Sequence, residues 1–509
     1  MPRLPLPPRI PAPLLAAVLV LLAAGLACTF LTPTPVAWSL TPTGGPSPRP
    51  SATAPPAAQP APGETAAPAV SPSPQPTAAV TASPAATNGG PWLVYARSGG
   101  SQVVAREPSG INTTPVTLSS PILWPADLAY GASPAGGWLA VRTGQRDLSD
   151  LSLDLVQFPG GAVRQHIALL SESIRAKLKA TPSGLPDAVA AVSQPDALRW
   201  SADGRWLAFV GAMDGPSADL YLFDTRTQQA HRLTEGLNQV ASPIWSPDGL
   251  WLVFQEVVSF NANPGWKVGA VWAAATDHNE LRKLYMPPAN STGEGFLTWS
   301  APDTLLVYTR APDAIHDVRS VPVSARFVNR LYEGPLDQIA FDPKTQNLAF
   351  SETDLSGAGL GLAPGVYVLP GLKGSPQFVR AGNWARLAFS APIGQFLASG
   401  DQGLLLFNTG ASATLLKEET AGLASPDGHW LVCWGGSQHP GLRLYRPDGV
   451  ALQEVTPDLS EPPLWQPDSK AFFYLAGGAL YRASFPQAQP EALEVGVLPG
   501  SLGWLGGSQ

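Results

Sequence analysis

Ile244-Trp245-Ser246-Pro247-Asp248-Gly249-Leu250-Trp251-Leu252-Val253-Phe254 is the stretch that decides the fold, because weaker copies of it recur from about residue 128 to the C-terminus. Ser-Pro-Asp-Gly has the chemistry of a tight reversal. Pro presets φ near −65° at the second position, Asp tolerates the bridge region, and Gly accepts positive φ. Trp251-Leu252-Val253-Phe254 is an apolar run of aromatic and β-branched residues, as expected of a strand covered on both faces. The stretch therefore reads as a buried β-hairpin.

Working outward, the turns align at Ser133-Pro134-Ala135-Gly136, Ser201-Ala202-Asp203-Gly204, Ser246-Pro247-Asp248-Gly249, Ser300-Ala301-Pro302-Asp303, Asp342-Pro343-Lys344, Ser390-Ala391-Pro392, Ser425-Pro426-Asp427-Gly428 and Gln466-Pro467-Asp468-Ser469. Their first residues are spaced by 68, 45, 54, 42, 48, 35 and 41. A period near 40 to 45 with four strand-like segments per unit predicts a β-propeller. Residues 92–118 supply three strand-like segments with no preceding turn, and Ser501-Leu502-Gly503-Trp504-Leu505 reads as a lone first strand. The expectation is an all-β chain with a single closed propeller of eight or nine four-stranded blades, the count favouring nine. Its first blade is completed by the C-terminal strand.

These motifs resemble the TolB-type, WD40-like propeller repeat of bacterial envelope proteins, over roughly residues 92 to 509. The resemblance implies a fold more than an activity. A sialidase Asp-box is excluded by spacing, since it places Gly two after Asp, whereas Asp248 and Gly249 are adjacent.

The ends extend this picture. Residues 1–28 read as a secretion signal, with Arg3 and Arg9 as the positive start, Leu14 to Leu26 as the apolar run, and Gly25-Leu26-Ala27-Cys28 at its end. This segment resembles a bacterial lipoprotein signal, with Gly25 and Leu26 exchanged relative to that pattern. The resemblance implies lipidation at Cys28 and a membrane-anchored, extracytoplasmic location. Residues 29–90 form a Pro/Ala/Thr/Ser-rich linker. From Thr32 to Gly90 there are fifteen prolines and two charges, Arg49 and Glu64. Such a segment buries too little apolar surface to offset its ordering entropy. Its 59 residues would reach at most about 180 Å as polyproline II and about 45 Å as a flexible coil. The propeller itself is expected over 91–509, with a helical insertion at 171–195.

Charged residues make up only 14%, and the net charge of −7 offers no basic field to a phosphate backbone, so nucleic acid is not an expected partner. The second cysteine, Cys433, sits in an apolar strand and leaves no disulfide framework. A nucleophilic enzyme needs a positioned base beside an activated Ser or Cys. No G-x-S-x-G elbow is present. The six histidines are scattered and form no H-x-x-x-H pair, and no C-x-x-C pair exists. No catalytic, cofactor or metal residues are therefore expected. Asp147, Asp150 and Asp154 have a spacing that suggests calcium but lack a glycine-bearing loop, so a solvated hairpin edge is the preferred reading.

In a propeller the Ser-Pro-Asp-Gly turns share one face, and the loops after the second and fourth strands share the other. The long insertions, 171–195, 255–267, 310–317, 353–364 and 434–440, all fall on that second face. Loops on a rigid scaffold are where binding residues concentrate. The candidate ligand or partner residues are therefore Asn261, Trp266, Asp313, His316, Trp434 and His439. Two functions remain open: a non-enzymatic, membrane-tethered scaffold for a protein or glycan partner, and a propeller lyase or hydrolase acting on polysaccharide. The 171–195 insertion is read either as a lid or as two short helices tucked against the barrel through Ile174 and Leu178.

Overall fold

The computed structural model describes residues 90–506 except 110–111, 181–183, 237, 263–264, 277–279, 289–290, 312–314, 325–326, 353–361, 373, 410–412, 436–438, 457 and 486. Cys28, Asp313 and most of the 353–364 insertion lie outside the described residues.

Each turn motif closes a hairpin between the first and second strands of a blade. In Ser246–Gly249 the Ser246 hydroxyl donates to Asp248 Oδ1 and accepts from Trp251 N at 2.9 Å, while Asp248 Oδ1 also accepts from Leu250 N at 3.0 Å. The same bonds recur at Ser201 and at Ser425. The motif is therefore Ser-x-Asp-Gly-x-Trp, with the final Trp supplying the backbone N–H that the Ser needs. Gly249 holds φ +70° and Gly428 φ +72°. At Gly428 an added Cβ would also sit 2.4 Å from Pro392 O of the preceding turn, so that glycine serves close packing as well as backbone freedom.

Nine sheets result, eight of four strands and one of three, all with antiparallel neighbours. Blade 1 places Gly503–Leu505 innermost, paired with Trp92–Ala96, as expected of a ring closed by its C-terminus. Nine is the correct count. The departure from four strands is blade 2, formed by Trp138–Thr143, Ser152–Gln157 and Ala162–Ala168, whose innermost strand is reduced to a single bridge, Ala132↔Leu139. The chain there is taken up by a four-residue helix, α1 (Asp127–Tyr130).

The second and third strands of most blades are buried along their length, as in Asp219–Asp224 and Ala471–Ala476, whereas outer strands such as Gln229–Arg232 are exposed. The core thus runs between blades, with side chains of adjacent sheets facing one another. Tryptophans on inner strands tie neighbouring blades through their indole N–H. Trp200 Nε1 donates to Gly131 O at 2.7 Å, Trp245 Nε1 to Arg199 O at 3.0 Å, Trp465 Nε1 to Leu423 O at 3.0 Å, and Trp504 Nε1 to Trp465 O at 2.6 Å. At the closure between blades 9 and 1, Glu494 accepts from Tyr95 OH, from Arg97 Nε at 2.6 Å and from Arg106 Nη2 at 3.1 Å.

Candidate functional site

The 171–195 insertion forms two helices, α2 (Glu172–Ala180) and α3 (Asp187–Val192). Ile174 is fully buried and Leu178 partly so, and α3 buries Ala188, Val189, Ala191 and Val192 against the second strand of blade 3 and the inner and second strands of blade 4. This is the tucked arrangement. The 255–267 segment is a correction: the second and third strands of blade 4, Trp251–Ala262 and Gly265–Ala275, extend as one long hairpin in place of a loop. Likewise Thr304–Arg310 and Ile315–Pro322 take residues 310 and 315–317 of the 310–317 insertion into strands.

The helices and the hairpin are joined. Phe260 N donates to Asp187 Oδ1 at 2.9 Å, and the Phe260 ring meets Trp266 edge to face at 4.7 Å. Lower on the hairpin, Glu256 accepts from Trp272 Nε1 at 2.8 Å and from Asn238 Nδ2 at 2.7 Å. A fixed ridge therefore stands over blades 3 and 4. Trp266 lies on it, half-buried. Asn261 belongs to the same hairpin, and His316 to the third strand of blade 5. Trp434 ends the second strand of blade 8, half-buried, and the exposed His439 follows in the next loop, where its carbonyl accepts from Arg443 Nη2 at 3.2 Å. The five candidates among the described residues thus spread over blades 4, 5 and 8, with Asn261 and Trp266 on the two strands of one hairpin and Trp434 and His439 at the end of one strand and in the loop after it.

A set of buried acids was missed in the sequence. Asp127, Glu294 and Glu419 each stand six residues before the first residue of their turn, Ser133, Ser300 and Ser425. All three are buried. Asp127 is gripped by Arg142, whose Nη2 and Nε reach its carboxylate at 2.6 and 2.9 Å. Arg142 Nη1 donates to Val192 O at 2.7 Å and to Gln194 O at 2.8 Å, just before blade 3. Glu419 accepts from Arg443 Nε, from Arg443 Nη2 at 3.0 Å and from Tyr445 OH at 2.7 Å. Glu294 accepts from Tyr285 OH at 2.6 Å, across the junction from blade 4, and from Ser291 Oγ at 3.1 Å. With no guanidinium bonded to it, Glu294 is pushed by burial to a pKa of about 7. Burial likewise pushes the Cys433 thiol well above its ordinary value. Stacking the turns would have exposed these acids, although nothing in the sequence names their partners.

The Asp147, Asp150 and Asp154 reading also needs correction. Asp154 is buried in the third strand of blade 2, where it accepts from Ser119 N at 2.9 Å and Ser119 Oγ at 3.1 Å and pairs with His166 Nδ1 at 2.6 Å. Asp147 and Asp150 instead bond backbone N–H groups of their own loop. Among the described residues no group of three or more His, Cys, Asp or Glu is placed to hold a metal ion.

No protein-family model matches the chain. An uncharacterized peptidase of Bacillus subtilis (strain 168) is 47% identical over 51 residues, which is 10% of this chain and 8% of that protein. The match therefore spans well under two thirds of that relative. Among solved structures, a eukaryotic initiation factor is similar with a TM-score of 0.53 at 12% identity, over 81% of this chain and 98% of that one. Dipeptidyl peptidase 4 of Porphyromonas gingivalis gives 0.45 at 12% identity, over 72% of this chain and 60% of that one. An oligogalacturonate lyase in complex with manganese gives 0.36 at 19%, over 57% and 88%. At these identities the likeness shows the propeller fold and nothing finer.

Proposed function

We propose that this chain is a TolB-like, non-enzymatic binding or assembly scaffold, held outside the cytoplasm by a lipid on Cys28, which takes a protein or glycan partner on the face opposite the turns. The observation that carries the reading is the ridge over blades 3 and 4. It is built from two insertions that the propeller does not need, it is fixed to the core by α3 and by the Phe260–Asp187 bond, and it presents Trp266. A fixed aromatic platform suits docking, because little side-chain entropy remains to be lost on association.

A propeller enzyme is the second reading, favoured by the 47% identical stretch shared with a protein named a peptidase. The 51 residues of that stretch are about the length of one repeat unit, which is the scaffold such proteins would have in common. Crosslinking mass spectrometry on detergent-solubilised membranes separates the two. Contacts gathering at 171–195, 255–267, 310–317, 353–364 and 434–440 support the scaffold. A footprint centred on the turns at 201–204, 246–249 and 425–428 would overturn that face, and unchanged membrane association of secreted Cys28→Ser would overturn the anchor.

A further inference from the structure

The inner strand of blade 7, Trp384–Ser390, is unusual in its exposure: Ala385, Arg386 and Ala388 are all open to solvent. On one side this strand packs on the inner strand of blade 6. On the other it is the second strand of blade 7 that meets the inner strand of blade 8. A groove of about 640 Å³ remains along that junction. Its walls are mostly apolar, with Leu387, Leu397, Leu404, Leu423 and Trp434 among them, and Arg386 is the sole charged residue lining it.

The groove has a reason in the sequence. The residue before the turn is Trp in blades 3, 4 and 9, and its indole N–H ties each to the preceding blade. In blades 6, 7 and 8 the same position holds Phe341, Phe389 and Ala424, none of which carries a side-chain donor. Gly422 on the facing strand lets Leu404 and Cys433 pack close, since a Cβ there would come within 3.0 Å of Leu404 Cδ2 and 3.1 Å of Cys433 Sγ. The lining follows the inner strand from Arg386 to Ser390 and continues into the turn at Ala391 and Pro392. Five strand residues at about 3.3 Å each make a slot roughly 15 Å long, with its cation near one end.

We propose that this groove is a binding site for a linear amphipathic monocarboxylate, an acyl chain lying along the apolar wall with its carboxylate on Arg386. The geometry is that of a long apolar slot with one cationic end. The volume lies within the range of small-molecule sites, which pair apolar walls with a few placed polar groups. Among the described residues no side chain bonds the exposed Arg386 guanidinium, which leaves it able to form a bidentate bond with a carboxylate.

The test uses the full chain carrying Cys28→Ser, with sodium decanoate below its micelle threshold and decanol as the uncharged match, read by ligand-observed NMR and calorimetry. Decanoate is expected to bind, Arg386→Gln to weaken it about tenfold while leaving decanol unchanged, and Ala388→Trp to remove both. Because Arg386 and Ala388 are exposed, both variants should melt like the parent, which a thermal scan verifies. No decanoate binding at millimolar concentration, or equal binding by Arg386→Gln, overturns the proposal. Neither result bears on the partner face, which the crosslinking experiment reads separately.

Discussion

The ring has a tied sector and an untied one. Blades 3, 4, 9 and 1 each send an inner-strand indole N–H into a backbone carbonyl of the preceding blade. Blade 5 keeps the tryptophan, Trp299, but its Nε1 is buried without a partner, and blades 6 to 8 have lost it. The same propeller therefore contains junctions fixed by an inner-strand indole bond and junctions whose inner strands meet through apolar side chains, with polar bonds such as Asn347 Nδ2 to Thr409 Oγ1 placed farther out. Apolar contact is non-directional and fixes spacing less strictly than a donor aimed at one oxygen. That difference accounts for where the groove opens.

At the junction of blades 2 and 3 a second group acts beside Trp200. Arg142 is fully buried, bonds Asp127 through two nitrogens, stacks on Trp124 at 4.2 Å, and reaches the connector into blade 3. Arg142→Ala would leave the Asp127 carboxylate buried without its cation. We expect a loss of about 3 to 5 kcal/mol in a denaturant melt. Arg142→Ala melting within about 0.5 kcal/mol of the parent would mean that the pair is not the tie between blades 2 and 3.

Glu294 makes the junction of blades 4 and 5 sensitive to pH. Its folded-state pKa of about 7 lies above the ordinary 4.5, so the folded protein holds the proton more tightly than the unfolded chain. The contribution is therefore complete below about pH 4.5 and is lost as pH rises through about 7, by at most roughly 3 kcal/mol. Glu294→Gln should remove this slope and leave the protein more stable than the parent above pH 7. Denaturant midpoints measured from pH 4.5 to 8 test it. Parallel curves for the two proteins would show that Glu294 is ionised in the fold throughout.

How much of this was legible follows from what kind of signal each feature leaves. The turns and the ring closure were readable because Ser-x-Asp-Gly fixes local dihedrals and needs no distant partner, so Gly249 and Gly428 take the positive φ their motif demands. Blade 2 misled because its Ser133–Gly136 turn is intact, while the strand before it gives way to α1. Asp127 stands in α1, Glu294 at the start of the inner strand of blade 5 and Glu419 in the connector before blade 8, so no shared local pattern marks them, and their partners are brought near only by the fold. The 255–267 segment was taken for a loop because Asn261, Asn263 and Pro264 are poor strand formers, but the hairpin is secured by contacts to α3 instead. The lack of a glycine-bearing loop points Asp154 to a solvated hairpin edge, whereas its burial follows from Ser119 and His166, which no local pattern links to it.

The finest comparison is between two tryptophans at the same repeat position. Trp245 and Trp299 each precede a turn, and replacing either with Phe removes a similar apolar area. Only Trp245 loses a hydrogen bond. A net hydrogen bond is worth about 0.5 to 1.5 kcal/mol, and an orphaned buried donor costs about 1 to 3 kcal/mol. Trp245→Phe should therefore destabilise by about 1 kcal/mol more than packing alone explains. Trp299→Phe should cost less than its packing or be neutral, because it discards a buried N–H that has no acceptor. The difference between the two variants cancels most of the packing loss, and it measures the tie directly. Equal losses from the two substitutions would show that the indole bonds do not hold the tied sector together, and the exposed strand of blade 7 would then need a different cause.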